Sequence, residues 1–360
     1  MITLKNSTIS PDQLDITAFS SVASIIHPLI LQIIYIAIIT VGFIANFLIC
    51  SLLTLNQSLM NKFPSCRFIF LLAVVDALTV ILVLVSPSFE ILGSSYPYPR
   101  GNISGPVFCA FIGSDFFIWG FGFVSVYTIT SLSIERMSSV VWPNVHHSLF
   151  RTYRMYYIMI LVFIIGLALS IPNILHVRYF HDQTIPCICL PLTDIVFTNT
   201  VIYFTLIALQ FIIPFTITFI SYVTFAYQIR KTKFSSPSNQ YAVNMGRNSI
   251  RNKQVISAGC LSNNATSPTL ETWRRQTKRI SIISIMITLA FFICWFPNQL
   301  IYTLVQLQIF KSKNPWLNIR AVLVISSSTI NPVIYVVIDP NFRKLFWDTL
   351  KQITYKLPGR

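Results

Sequence analysis

The sequence predicts an all-α fold, a bundle of seven transmembrane helices with a short amphipathic helix after the seventh span. Three observations carry that prediction. Of 360 residues, 54% are hydrophobic and only 10% are charged, and the mean hydropathy is +0.67, a balance that no ordinary water-soluble domain carries on its surface. The apolar residues gather into seven runs, each of about twenty or more, the length at which a helix rising about 1.5 Å per residue crosses about 30 Å of hydrocarbon. Lys and Arg are unevenly shared between the connecting segments. With the amino terminus outside, the outer segments hold only Lys5, Arg100, Arg178, Lys311, Lys313 and Arg320 of the 26, which is the positive-inside orientation.

Residues 1–24 form a mixed polar tail. It lacks a basic stretch before an apolar run, so the first span is expected to serve as the insertion signal. The membrane domain covers residues 25–338. Its first span, Ile25 to Leu53, carries Asn46; the second, Pro64 to Phe89, carries Asp76 at its middle. The third runs from Phe108 to Val141, starts beside Cys109, is interrupted by Asp115 and ends in Glu135-Arg136. Tyr153 to Ile174 is the fourth, ending at Pro172; Val196 to Ile229 is the fifth, with Pro214 inside; Arg279 to Val305 is the sixth, with Phe291, Trp295 and Pro297. The seventh, Trp316 to Ile338, holds Asn331-Pro332 and Tyr335. Interior prolines are tolerated in such helices because neighbours re-satisfy the freed carbonyls.

Between residues 231 and 272 the chain is rich in Ser, Asn, Gln, Lys and Arg with almost no apolar periodicity, the signature of a disordered inner loop. In residues 339–360, Phe342, Leu345, Phe346 and Leu350 share one helical face beside Arg343 and Lys344, as in a helix lying on the membrane surface. Asn6-Ser-Thr8 and Asn102-Ile-Ser104 are glycosylation sequons on the outer side; Asn56 and Asn264 also begin matches, but the topology puts them in the cytosol.

The net charge of +15 follows from this topological bias, with attraction to anionic inner-leaflet lipid as its by-product. The basic residues are scattered over loops, which excludes a nucleic-acid-binding module. No Gly-rich phosphate loop, no His-Glu-x-x-His and no nucleophile set with a His and an acid is present, so the chain is read as no enzyme. The neighbours His146 and His147 are read as solvated in the second inner loop. A seven-helix transporter or channel is the alternative class, but Asp76 is the only central charge and no half resembles another.

Asn46, Leu72-Ala73-Val74-Val75-Asp76, Glu135-Arg136-Met137 with Pro143, Pro214 with Tyr222, Phe291 to Pro297, and Asn331 to Tyr335 occur in that order. As an ordered set they resemble the rhodopsin-like (class A) G-protein-coupled receptors over about residues 25–350. Trp295-Phe296-Pro297-Asn298-Gln299 and Ser327-Ser328-Thr329-Ile330-Asn331-Pro332 are most similar to segments of neuropeptide receptors. The resemblance implies a multi-pass plasma-membrane protein that binds an extracellular ligand, a neuropeptide, and promotes nucleotide exchange on a heterotrimeric G protein. It also implies arrestin and a receptor kinase as partners, and membrane lipid around the bundle. A receptor of the same fold for a small molecule (amine, lipid or odorant) is the alternative.

The residues give physical content to these roles. Asp76 would cost about 2.5–3.5 kcal/mol facing lipid, so it is expected to face the bundle. Asn46, Ser125, Ser328 and Asn331 lie at similar depth. The resemblance implies a sodium ion held by Asp76, Ser125, Ser328 and Asn331, and no other cofactor; a hydrogen-bonded water knot is the alternative. Ser327 stands where the class often has Asn. Arg136 keeps its proton at any physiological pH, and Glu135 is the nearest carboxylate to hold it at rest; the resemblance implies that the freed Arg meets Tyr222, Tyr335 and the G protein. Thr277 stands where many members have an acid that locks this Arg, so appreciable basal activity is expected. Trp295, one turn above Phe291 and just below Pro297, is an aromatic pair that repacks at a proline kink.

Of the seven cysteines, Cys50 and Cys294 lie within helices, and Cys66 and Cys260 are expected as free thiols on the reducing side. Cys109, Cys187 and Cys189 lie outside, and a bridge from Cys109 to one of the other two is worth about 2–4 kcal/mol. Cys109 lies about two residues farther from Arg136 than the class usually shows, which predicts an overwound or bulged helix top. Where amine receptors carry an Asp, this chain has Ile118 counting from Arg136, or Phe116 counting from Cys109. The ligand-binding candidates are Glu90 and Asp115 as an acidic rim, with Trp119, Tyr203, Gln210, Trp295, Asn298, Gln299 and Tyr302 below it. That set suits a peptide with a basic residue and an amide terminus; alternatively the two acids pair with Arg100, Arg178 or water.

Overall fold

A computed structural model of the chain describes residues 11–62, 64–89, 91, 96–193, 195–234, 270–306 and 316–338, and positions 340, 343, 344, 347 and 351. Glu90, Asn6, Cys260 and the apolar face Phe342, Leu345, Phe346 and Leu350 lie outside the described residues. Six helices among the described residues are long and apolar enough to cross a membrane, within Leu29–Leu55, Pro64–Val85, Ser104–Val141, Thr152–His176, Phe197–Gln228 and Ile285–Leu304. A shorter apolar stretch, Ala321–Tyr335, forms the middle of a 23-residue helix, Trp316–Ile338. These seven are called the first to seventh spans below.

Among the described residues the first-span helix reaches back to Pro11, well before Ile25. Side chains such as Ile33, Phe47, Tyr157 and Phe197 are exposed on the outside of the bundle, where lipid and not water suits them. Inside, Ile49, Leu52, Leu53, Leu72, Ile287 and Tyr335 pack the inner half between the first, second, sixth and seventh spans. Phe123, Val126, Phe211 and Trp295 pack the middle.

The third span is not one helix. Ser104–Phe108 runs into a π-turn, Cys109–Gly113, and the chain then breaks at Ser114 and Asp115 before the long helix Phe116–Val141. Asp115 is the only non-glycine residue with positive φ among those described, at φ 54° and ψ 28°, a conformation Asp tolerates better than most side chains. The π-turn and the left-handed residue absorb the extra length between Cys109 and Arg136. The fourth span is also divided, into Thr152–Ala168 and Ile171–His176, at the point where Pro172 cannot donate to the Ala168 carbonyl. In the fifth span a π-turn, Ala208–Ile212, joins Val196–Ile207 to Ile213–Phe234 just before Pro214.

The all-α expectation needs one addition. Val177–Tyr179 and Cys187–Cys189 form an antiparallel hairpin, with Val177 opposite Cys189 and Tyr179 opposite Cys187. A disulfide between Cys109 and Cys187 fastens this hairpin to the π-turn of the third span, leaving Cys189 as a free thiol. Cys66 departs from expectation: it is fully buried and disulfide-bonded, not a free thiol. After the seventh span, positions 340, 343, 344, 347 and 351 are helical and exposed.

Candidate functional site

A polar column runs down the middle of the bundle. Asp76, 2% exposed, accepts a hydrogen bond from Asn331 Nδ2 on one carboxylate oxygen at 3.0 Å and from Ser125 Oγ on the other at 3.2 Å. Ser328 lies beside the same carboxylate. Second, third and seventh spans are therefore joined at one buried charge. Asn46 stands beside this group without touching the carboxylate: its Nδ2 donates to the carbonyls of Gly42, at 2.9 Å, and Ser328, at 2.8 Å. Ser328 lies four residues before Pro332, so its carbonyl has no helical N–H to accept from. Asn46 supplies the missing donor.

The same economy recurs at the other helix breaks. Tyr127 donates its hydroxyl to the Leu209 carbonyl at 2.8 Å, within the π-turn that precedes Pro214. Gln210 Nε2 donates to the Leu169 carbonyl at 3.0 Å, where the fourth span is interrupted. In hydrocarbon an unpaired carbonyl costs several kcal/mol, so each break recruits a side chain from a neighbouring span.

Above the column, the Trp295 indole lies between Trp119, at 6.1 Å edge-on, and Phe291, stacked at 5.2 Å, and its Nε1 donates to Ser327 Oγ at 3.1 Å. A Cβ on Gly122 would run into this indole, so the glycine is what lets the ring lie against the third span. Asn298 and Gln299, next on the sixth span, are also buried.

Toward the outer mouth, Asp115 is 9% exposed and accepts from Ser86 Oγ just past the second span. Tyr203 faces Tyr302 edge-on at 6.1 Å and stacks on His176 at 5.6 Å. His176 Nδ1 lies 2.7 Å from the Leu190 carbonyl, which can only accept, so Nδ1 donates and Nε2 is left to accept from the Tyr203 hydroxyl at 3.0 Å. His176 thus ties the fourth span, the outer hairpin and the fifth span. It was not singled out from the sequence, where a lone His at a span end gives no signal. Of the predicted ligand contacts, Tyr203, Gln210, Asp115 and Trp295 all have polar atoms engaged by the protein itself, and Trp119 and Tyr302 pack edge-on against Trp295 and Tyr203. Asn102 lies exposed in the outer loop.

At the inner end, Glu135 is 1% exposed and Arg136 7% exposed, with Arg136 Nε 3.4 Å from Glu135 Oε2. Tyr222 and Tyr335 are buried in the same region, and Tyr335 lies within electrostatic range of both Arg136 and Tyr222. The expectation that His146 is solvated fails: it is 6% exposed and its Nε2 lies 3.0 Å from Glu135 Oε1. Ser65 Oγ completes the set, donating to Oε2 at 2.8 Å. Arg67 pins the neighbouring loops, donating to the Met60 and Thr152 carbonyls and to Thr152 Oγ1.

Comparison with known proteins matches residues 45–335 to the family described as 7 transmembrane receptor (rhodopsin family). Neuromedin-U receptor 2 of Rattus norvegicus is 25% identical over 326 residues, 87% of this chain and 73% of that protein. The GQ-coupled rhodopsin of Mizuhopecten yessoensis is 25% identical over 319 residues, 87% of this chain and 58% of its own. The type-2 angiotensin II receptor of Homo sapiens is 28% identical over 152 residues, 42% of this chain and 38% of its own.

Proposed function

Because the chain belongs to the rhodopsin family of seven-transmembrane receptors, a multi-pass membrane family of receptors, we propose that it binds an extracellular neuropeptide and promotes nucleotide exchange on a heterotrimeric G protein. The observation that carries this is the buried Glu135–Arg136 pair. A buried guanidinium beside one carboxylate, at the end of a helix whose other end is stapled to an outer loop, is a charge whose release a distant ligand can control. The peptide class is supported by the matched receptors, named for neuromedin U and angiotensin II. Asp115, Trp119, Trp295, Asn298, Gln299 and Tyr302 are the proposed ligand contacts.

The outside placement of the amino terminus in the plasma membrane is supported by the positive-inside bias and by the Cys109–Cys187 disulfide at the end opposite Arg136. Asn102, exposed at that end, is then a glycosylation acceptor. Exposed Arg343, Lys344 and Trp347 suit contact with inner-leaflet lipid. Arrestin and a receptor kinase are the further partners the family implies. The donor set of Asp76, Ser125, Ser328 and Asn331, one carboxylate with hydroxyl and amide oxygens, fits a hard monovalent cation, and these residues would hold a sodium ion, which supplies positive charge beside the buried carboxylate.

The test is nucleotide exchange on purified G protein in membranes carrying the chain, with a panel of amidated basic peptides. At least one peptide raises exchange in the native chain and none does so with Arg136→Ala. Peptide-driven current in cells lacking G proteins, without exchange, would support a channel instead.

A further inference from the structure

Glu135 is shared among three elements. Its Oε1 takes the His146 contact at 3.0 Å; its Oε2 accepts from Ser65 Oγ at 2.8 Å and faces Arg136 Nε at 3.4 Å. The Arg136 contact is the longest of the three, and its Nε has no hydrogen-bond partner among the described residues. His146 comes from the helix Pro143–Leu149, in which successive side chains point about 100° apart. That turn sends His146 inward, onto the Phe150 ring at 5.2 Å, and leaves His147 exposed.

With a neutral imidazole, Glu135, Arg136 and His146 sum to zero charge, and Nε2–H gives the carboxylate an ordinary hydrogen bond. A second proton makes the imidazolium a second cation on one carboxylate, in a place nearly closed to water. The two cations repel and compete, and the shorter, hydrogen-bonded contact is the stronger. The other charged groups on the elements packed around His146 do not change this balance. From the second span, Arg67 is engaged by Met60 and Thr152. On the following helix, Arg151 and Arg154 lie over Tyr153, and Arg154 bonds Ser148. Glu135 is the carboxylate that the described ion pairs place on His146.

We propose that His146 is a positioning residue of the Arg136 switch, which as an imidazolium takes Glu135 from Arg136 and raises nucleotide exchange as cytoplasmic pH falls, resting on the switch role of Arg136 proposed above.

The experiment measures agonist-free exchange on purified G protein by the full chain in nanodiscs between about pH 7.8 and about 6.2, with receptor-free exchange in the same buffers subtracted. The native chain gains roughly fivefold or more on acidification. His146→Gln, which keeps an N–H donor but cannot charge, stays flat, and His146→Lys is high throughout. A native profile that is flat or falls with acid overturns the proposal, as does one that His146→Gln reproduces. Should His146→Gln not fold, the native profile and His146→Lys decide. Arg136→Ala loses exchange at every pH; exchange retained in that variant would instead overturn the switch role itself.

Discussion

Replacing Asn46 by Ala removes two hydrogen bonds, and the two losses are unequal. The bond to Gly42 is within one helix, and that carbonyl keeps its helical neighbour; the bond to Ser328 serves a carbonyl that Pro332 has deprived of its own donor. Asn46 is 1% exposed, so no lipid headgroup or bulk water replaces it. A buried acceptor left unpaired costs about 1–3 kcal/mol. Interhelical hydrogen bonds measured within membranes fall at about 0.6–2 kcal/mol, so the expected loss is about 1–2 kcal/mol. At about 2–4 °C per kcal/mol for a chain of this order of size, thermal unfolding in detergent, followed by a thiol-reactive dye reaching buried Cys294, shifts down by several degrees. The decisive measurement is the same substitution in a Pro332→Ala background. There the backbone N–H at 332 returns to the Ser328 carbonyl, and Asn46→Ala loses at least half its effect. Equal losses in the two backgrounds would refute the assignment of Asn46 to the proline-freed carbonyl.

Three more outcomes follow from the geometry. Cys187→Ser opens the bridge to Cys109 and lowers stability by about 2–4 kcal/mol, while Cys189→Ser leaves the melting point nearly unchanged; disulfide mapping of the intact chain should recover a peptide joining positions 109 and 187. Burial, and then the nearby Asp115 carboxylate, push the Cys189 thiol above its ordinary range. A raised value means less thiolate at about pH 8.5, so alkylation at Cys189 is slower than at a free thiol and Asp115→Asn speeds it; equal rates in the two chains would refute the electrostatic part. Gln210→Leu strands the Leu169 carbonyl and costs about 1–3 kcal/mol with little change in peptide potency, and a large loss of potency at native stability would return Gln210 to the ligand.

Much of the bundle was legible because lipid enforces it. Apolar runs of fixed length and a Lys/Arg asymmetry left few other architectures, and Asp76, too costly to face lipid, had to meet Ser125, Ser328 and Asn331 in the interior. The break at Asp115 was legible only as an arithmetic surplus between Cys109 and Arg136, since its flanking residues read as one continuous apolar helix. His146 was missed because adjacent histidines look alike in a string; only the phase of a seven-residue helix separates a buried one from an exposed one. Tyr203 and Gln210 read as ligand contacts because polar side chains at mid-membrane suggest a pocket; in the fold Tyr203 meets His176 and Gln210 the Leu169 carbonyl, partners on other spans that no local pattern points to. Pro214 is a more legible signal, since the turn before it leaves a carbonyl that Tyr127 of a neighbouring span serves.

The interruption at Ser114 and Asp115 makes the third span a jointed rod. Its outer peg, Ser104 to Gly113, moves with the hairpin to which Cys187 bolts it, and its shaft is embedded among the other spans down to Arg136. Ser86 braces the knuckle from the second span through Asp115. The geometry gives a push on the hairpin a route to the shaft through that knuckle, where Ser86, just past the second span, is in contact with it.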